Sequence, residues 1–197
     1  MLFRSRIGLF VGGLYRTCDD IQCLLDFVYP MKLDVHYNLS THKTSIYRTL
    51  AKNILTKSIN VSNTQHAYDV KKIKYVPPAK PEMVQNTIEM FHKKKLFQKY
   101  LNDYDIVINM RPDLISFDKK LMDLIHDMFN NYDDNTLYTP IVYGSQGIAD
   151  TFAIGSTRVM KHYLGIYDDL DTLVGKYVFN PELITYHQIV SHGCKLY

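Results

Sequence analysis

The chain contains a short, almost continuously apolar run, Ile106–Met110, that is followed at once by Arg111, Pro112 and Asp113. Such a run is typical of a strand buried on both faces, as in the middle of a parallel sheet. Proline has no N–H to give to a sheet, so the strand is predicted to stop at Pro112. Arg111 and Asp113 are therefore predicted to lie at the carboxyl end of a central strand, where open α/β sheets bind ligands.

The rest of the chain alternates between strand and helix patterns, which predicts a layered α/β domain with a mostly parallel sheet. Strands are predicted at 7–11, 33–39, 72–76, 137–143, 150–156 and 194–197, and 56–71 is predicted to be a loop or an edge element. Helices are predicted after Asp19 or Asp20, after Thr44 or Ser45, from Pro81, after Ser116 or Asp118, after Ser156, near 168–174 and from Pro181. The last helix is predicted to bury Leu183, Ile184, His187 and Val190.

Size and composition limit the class of protein. A length of 197 residues suits a single domain over 1–197, whether whole or excised from a longer chain. The net charge of +3 is too small to indicate nucleic acid, and no apolar run approaches the length of a membrane span. Three cysteines without paired spacing predict reduced thiols and a cytoplasmic location. The run 7–14 after Arg4 and Arg6 imitates a short signal peptide, but its cleavage site is poor, so a first strand is predicted instead.

Several catalytic signatures are missing from the sequence. It has no phosphate loop, no G-x-G-x-x-G turn, no H-E-x-x-H or C-x-x-C metal pattern and no G-x-S-x-G elbow. Kinase, dehydrogenase, hydrolase and zinc-site functions are therefore disfavoured. Two acidic triplets, 103–105 and 169–171, are interpreted as solvated surface, the first because it precedes the central strand.

The residue types at the predicted strand ends suit a nucleotide diphosphate. Asp113 is a hard ligand for Mn²⁺ or Mg²⁺, and the planar fork of Arg111 suits phosphate, although a surface Arg-Asp pair is the alternative. Gly12 and Gly13 after the first strand permit close approach to a ligand. After Leu14 come Tyr15, Arg16 and Thr17, which suit a nucleotide or else form an ordinary turn. Tyr15 could stack on a base and Arg16 could meet phosphate. Of the lysines at 93–95, at least two are predicted to be solvated.

Four stretches resemble, in order, a glycosyltransferase-like family with the nucleotide-sugar (GT-A) fold, which is frequent in large DNA viruses of algae and amoebae. "YDIVINMRPDL" resembles that family's "YD-apolar-R-x-RPDL" signature. The turn at 12–17 is similar to its "G-x-x-R-T", "DTFAIGS" from Asp150 is similar to "DQFAIGS", and the helix from Pro181-Glu182 matches its ending in part.

The resemblance implies a metal-dependent glycosyltransferase that moves a sugar from a nucleotide-diphosphate donor, a UDP-sugar, to a glycan or glycoprotein acceptor. Asp113 would hold Mn²⁺ or Mg²⁺, with His187 or His192 as a further ligand. Arg111 and Arg16 would face phosphate. A family lysine in the helix before the central strand, taken as Lys94, would contact the nucleotide. Asp150 would orient the acceptor or accept its proton. A viral origin would imply the host cytoplasm.

Two other functions stay open. One is a catalytically inactive nucleotide-sugar-binding module. The other is an α/β methyltransferase, which needs an acidic, glycine-rich turn after the first strand. In this chain Gly12 and Gly13 are followed by Arg16 instead.

Overall fold

The computed structural model of the chain describes residues 6–14, 33–40, 56–61, 68–74, 80–111, 119–140 and 147–197. Its strands are β1 (Ile7–Leu14), β2 (Asp34–Ser40), β3 (Thr56–Val61), β4 (Ile106–Met110), β5 (Thr136–Leu137), β6 (Phe152–Ser156) and β7 (Lys195–Leu196). Its α-helices are α1 (Pro81–Lys95), α2 (Lys119–Asn130), α3 (Thr157–Leu164), α4 (Leu170–Lys176) and α5 (Pro181–Ser191). Short 3₁₀ helices lie at Val70–Lys72, Gln98–Asp103 and Gly165–Tyr167.

Five strands form the main sheet in the order β3-β2-β1-β4-β6. The first four are parallel and β6 runs antiparallel to β4, so the predicted mostly parallel sheet is confirmed. Strand β4 is buried at all five positions, as its apolar run predicted. Because β6 runs the other way, its amino end meets the carboxyl ends of β1, β2 and β4. We call this common border the carboxyl edge.

Successive side chains of the strands point to opposite faces of the sheet and contribute to two separate apolar layers, as the two-residue period of a strand requires. On one face, Leu9, Val11 and Ile108 pack against α2 through residues that include Ile125 and Met128. The other face is covered by α1, α3 and the 3₁₀ helix between α1 and β4. Its buried side chains are Phe10, Phe97, Leu101, Tyr104, Val107, Val159, Met160, Tyr163 and Leu164.

The carboxyl-terminal part of the chain adds a small parallel sheet of β5 and β7, joined to β6 by a bridge between Tyr138 and Ile154. Helix α5 begins as predicted, with the Asn180 side chain accepting a hydrogen bond from the Leu183 N–H at 2.8 Å. None of the helices in the described part of the chain is both long and apolar enough to cross a membrane.

Three local predictions are corrected. The strand at 72–76 is wrong at its start, because Lys72 belongs to a 3₁₀ helix whose first turn is capped by Asp69. Strand 137–143 begins one residue earlier, at Thr136, and up to Pro140, where the described residues stop, only Thr136–Leu137 and the bridge at Tyr138 pair. The buried face of α5 is rotated: Val190 is 43 % exposed. The residues that α5 buries are Ile184, Thr185, Gln188 and Ile189.

Candidate functional site

The carboxyl edge brings Arg111 and Asp150 together, which the sequence placed in one site only through a resemblance. Arg111 follows the last residue of β4, and its backbone N–H donates to the Thr151 carbonyl at 2.9 Å. Thr151 directly precedes β6, whose first residue pairs with Met110. The antiparallel register of β4 and β6 therefore fixes the residues just before β6 beside the residue just after β4.

Asp150 and Arg111 form a loose ion pair in which the carboxylate is buried and the guanidinium is partly exposed. The Arg111 Nη1 lies 3.8 Å from the Asp150 Oδ2, and the two side chains are 30 % and 8 % exposed. This distance exceeds that of a direct hydrogen bond, so the pair lacks the close forked geometry of a structural arginine–carboxylate bridge. A sheltered carboxylate beside a partly exposed guanidinium suits a site where an acceptor hydroxyl and an anionic ligand meet.

Lys94, at the end of α1, lies behind Asp150. Its ammonium is buried and donates to the Asp150 carbonyl at 2.8 Å and to the Tyr163 hydroxyl at 2.9 Å. It also lies 4.4 Å from the centre of the Tyr163 ring. Burial lowers the pKa of Lys94 to about 8, the Asp150 charge opposes this shift, and Arg111 adds to it. We call Lys94, Asp150, Tyr163 and Arg111 the Lys94 cluster.

The prediction that at least two of the three lysines are solvated is wrong. Lys93 is also buried, and its ammonium lies 3.6 Å from Glu89 one helical turn earlier. Only Lys95 of the three keeps substantial exposure, at 37 % of its side chain, where it pairs with Asp168. The end of α1 is covered by neighbouring elements, so a run of charges on this helix does not mark a solvent face.

Gly12 and Gly13 lie at the carboxyl end of β1, and the fold itself accounts for both glycines, through a neighbouring ring at Gly12 and a positive φ at Gly13. A Cβ at Gly12 would stand 2.7 Å from Cε2 of Phe97, so this glycine makes room for an aromatic ring of the protein itself. Gly13 has a φ of 128°, which disfavours other residues. Their contact with a nucleotide stays a prediction. Tyr15, Arg16 and Thr17, with which they were grouped, lie outside the described residues.

The predicted metal ligands are not brought together in the described part of the chain. Asp113 lies outside it. His187 stacks on Tyr177 with ring centres 3.5 Å apart, and burial lowers its pKa. His192 stacks on His162 at 3.9 Å, and its Nδ1 lies 2.8 Å from the Gln188 carbonyl oxygen.

Helix α5 separates His192 from the carboxyl edge. The helix begins near that edge, where the Glu182 carbonyl accepts from the Ile148 N–H at 3.1 Å. Its ten-residue span to His192 corresponds to about 15 Å. Among the described residues, no group of three or more His, Cys, Asp or Glu could hold a metal ion. The metal therefore stays a prediction that rests on Asp113.

The aspartates of both acidic triplets are exposed, as predicted, whereas the middle residues Tyr104 and Leu170 are buried. Asp105 accepts from the backbone N–H of Arg6 at 2.8 Å, beside the amino end of β1 and away from the carboxyl edge. Asp169 and Asp171 lie at the start of α4 on the surface.

Sequence reasoning did not single out Tyr163, which lies in α3. Burial, and next the Asp150 charge, raise the pKa of its phenol well above the usual value, so Tyr163 is a neutral hydroxyl. Its hydroxyl donates to the Asp150 carbonyl at 3.1 Å. A buried phenol at a helical apolar position was the available signal, because such a hydroxyl needs a partner. The identity of that partner depends on tertiary contacts.

Comparisons with known proteins place this geometry in a known fold. No protein-family model matches the chain, and no curated protein matches it either. A solved structure of a protein from Desulfovibrio desulfuricans G20, assigned to the nucleotide-diphospho-sugar transferases, superposes with a TM-score of 0.51 at 12% identity, over 98% of this chain and 78% of that one. The apo form of mouse xyloside xylosyltransferase 1 superposes with a TM-score of 0.48 at 9% identity, over 97% of this chain and 84% of that one, which is too weak to bear on the site.

The chain therefore has a nucleotide-diphospho-sugar transferase-like (GT-A-like) fold: a mostly parallel sheet flanked by helices. This confirms the predicted fold class.

Proposed function

We propose that this chain is a glycosyltransferase that moves a sugar from a nucleotide-diphosphate donor, with UDP-sugars as the first donors to test, to a hydroxyl of a glycan or glycoprotein acceptor. The observation that carries the proposal is the meeting of Arg111 with the buried Asp150 at the carboxyl edge of the central strand, in a fold of the nucleotide-diphospho-sugar transferase type. Ligands of open α/β sheets bind at this edge.

Arg111 is assigned to the diphosphate of the donor. Its guanidinium carries a permanent charge and donates in a planar fork that matches phosphate oxygens. Its backbone N–H is held by the carbonyl of Thr151, next to Asp150, so the side chain starts from a fixed point beside Asp150. Charge that develops on the leaving diphosphate would be stabilised from this position.

Asp150 is assigned to the acceptor. In an inverting transfer, the acceptor oxygen attacks the anomeric carbon, the bond from that carbon to the diphosphate oxygen breaks, and the carboxylate takes the hydroxyl proton. A sheltered carboxylate serves here because water competes poorly for it. Asp150 is 6% exposed and faces the positive charges of Arg111 and Lys94.

A divalent cation at Asp113 belongs to the proposal as well. Mn²⁺ or Mg²⁺, when bound, would neutralise the diphosphate. The described residues support only the donor and acceptor sides of the site, so the metal is tested by itself.

The test is calorimetric titration of the protein with UDP in the presence and absence of Mn²⁺, followed by a hydrolysis and transfer assay with a panel of nucleotide sugars. We expect UDP to bind, Arg111→Ala to weaken that binding by about tenfold or more, and Asp113→Ala to remove its Mn²⁺ dependence. Lys99→Ala, at an exposed lysine, is the control. Failure of the wild-type protein to bind any nucleotide would refute the proposal. Binding without hydrolysis or transfer would instead support the inactive nucleotide-sugar-binding module.

A further inference from the structure

The turn that carries Asp150 is held by hydrogen bonds from four other parts of the chain: α1, the end of β4, the segment after β5, and α3. Each of the four successive carbonyls from 149 to 152 accepts at least one hydrogen bond. The donors are Thr139 Oγ1 to Ala149 (3.5 Å) and Phe152 (3.1 Å), Lys94 and Tyr163 to Asp150 (2.8 and 3.1 Å), and the Arg111 N–H to Thr151 (2.9 Å). The backbone of Asp150 is therefore fixed from the interior, while its carboxylate faces Arg111.

Lys94 is an unusual residue for this task. A neutral side chain could donate to the Asp150 carbonyl without the desolvation cost that a buried ammonium carries. The ammonium additionally presents a positive charge to the Asp150 carboxylate. The charge of that carboxylate opposes the lowering of the Lys94 pKa that burial causes. Both hydrogen bonds described for this ammonium point inward, to a backbone carbonyl and a phenol, and the residue is 1% exposed.

We propose that Lys94 is a positioning residue, which together with Tyr163 holds the Asp150 carboxylate beside Arg111 without contacting the nucleotide. The effect of Lys94 on catalysis rests on the proposed function, whereas its effect on the conformation of the turn at 147–152 does not. Lys94 acts from behind the site through the backbone of Asp150, and Tyr163 keeps the ammonium directed at that carbonyl.

The first experiment measures kcat and the Kd for UDP in two variants, Lys94→Met and Lys95→Met. Lys95 is a neighbouring lysine whose charge lies on the surface. We expect Lys94→Met to lower kcat on the order of 10- to 100-fold, because a displaced base loses its alignment, while the Kd for UDP with Mn²⁺ stays within about threefold. Lys95→Met should leave both unchanged. A Kd for UDP raised tenfold or more with kcat preserved would overturn the proposal, since it would make Lys94 a nucleotide contact. An unchanged kcat would overturn it as well.

A second experiment needs no ligand. Hydrogen exchange followed by mass spectrometry should show the peptide over 147–153 exchanging about tenfold faster in Lys94→Met than in wild type, with peptides over β1 and β4 unchanged. Tyr163→Phe, which leaves the ammonium in place, should show a smaller change in the same peptide and serves if Lys94→Met fails to fold. Unaltered exchange at 147–153 in both variants would overturn the proposal. If the wild-type protein binds no nucleotide, the proposed function fails, while the hydrogen-exchange experiment still decides the role of Lys94.

Discussion

The Lys94 cluster and a second polar group, centred on His36, both lie on the face of the sheet that α1 and α3 cover. They differ in how their buried polar atoms are compensated. His36 is 3% exposed, and its Nδ1 and Nε2 lie 2.7 Å from Ser58 Oγ and 2.8 Å from the Tyr104 hydroxyl. Tyr104 in turn donates to Asp34 at 3.4 Å, and Tyr100 stacks on the imidazole at 4.1 Å. We call these five residues the His36 network.

In the His36 network the buried ring is neutral and its polar atoms are satisfied by hydroxyls. Burial lowers the pKa of His36 to about 4, against the opposing influence of Asp34. In the Lys94 cluster, charges of both signs are enclosed and one of them, Arg111, stays partly exposed. A neutral buried ring whose polar atoms are satisfied by hydroxyls indicates packing, whereas enclosed charges that open onto a sheet edge indicate a site, because burying such charges is costly and functional sites are where they concentrate.

The largest expected effect separates the two groups by activity. Asp150→Asn should reduce kcat by about 10²- to 10⁴-fold, the usual contribution of a general base. Asp34→Asn, the matched change in the His36 network, should alter kcat by less than about threefold, because the contacts of Asp34 with Tyr104 and the surface residue Lys57 lie away from the carboxyl edge. The measurement is steady-state transfer with the best donor of the panel. Equal losses in the two variants would remove the distinction.

The next effect concerns stability in acid. The unfolded chain protonates His36 near its ordinary pKa of 6.5, whereas the folded protein does so at about 4. The unfolded state binds more protons in this window, so the free energy of unfolding should fall by about 2 to 3 kcal/mol as pH decreases from 6.5 to 4. Urea denaturation at several pH values measures it. His36→Gln should show a shallower decline, and parallel curves for the two proteins would contradict the neutral, buried imidazole.

A smaller effect with the same sign is expected for Lys94 in alkali, where the free energy of unfolding should again rise with pH. Its pKa falls from 10.5 to about 8 on folding, so the unfolded chain binds more protons between these values. The penalty for burying the ammonium is thus relieved as pH rises, by up to about 2 kcal/mol between pH 8 and 9.5. The difference in unfolding free energy between wild type and Lys94→Met should change by this amount, with Lys95→Met as control. A constant difference would show that the buried amine does not titrate in this range.

The last test concerns the border between the two groups, where Phe97 lies against Gly12 and stacks on Phe10, a neighbour of His36. Gly12→Ala should destabilise the protein by about 1 to 3 kcal/mol, because its Cβ would press into the Phe97 ring. Gly175→Ala, where a Cβ meets nothing within 4 Å in a helix, should instead stabilise by about 0.5 to 1 kcal/mol. Thermal denaturation distinguishes them. A stable Gly12→Ala variant with weakened UDP binding would indicate that Gly12 faces the ligand.

Much of the fold followed from local patterns. The apolar run at 106–110 became the buried strand β4, Asn180 and Pro181 opened α5, and the helix from Pro81 ended at Lys95. Predictions of which helical face is buried were weaker. Helix α5 turns Val190 outward and buries Gln188, whose amide donates to Asp169 at 2.7 Å. An apolar pattern cannot anticipate a polar residue that is satisfied by a distant carboxylate.

The candidate site was predicted in parts. Arg111 and Asp150 were identified as separate residues, and the structure brings them to 3.8 Å. The depth of Lys94 and the presence of Tyr163 were not foreseen, because both depend on α1 and α3 meeting behind the turn that precedes β6. Nucleotide contacts at 15–17 and the cation ligand Asp113 stay predictions.

The sequence by itself determined the central strand, the starts of α1 and α5 and the position of a cation at the end of the central strand, because hydrophobic period and proline act over a few neighbouring residues. Only the tertiary structure decided that β6 runs antiparallel and so delivers Asp150 to Arg111, and that a lysine in a charged run is enclosed. The reason is physical: burial and charge pairing depend on which distant elements come into contact, and no local pattern specifies those contacts.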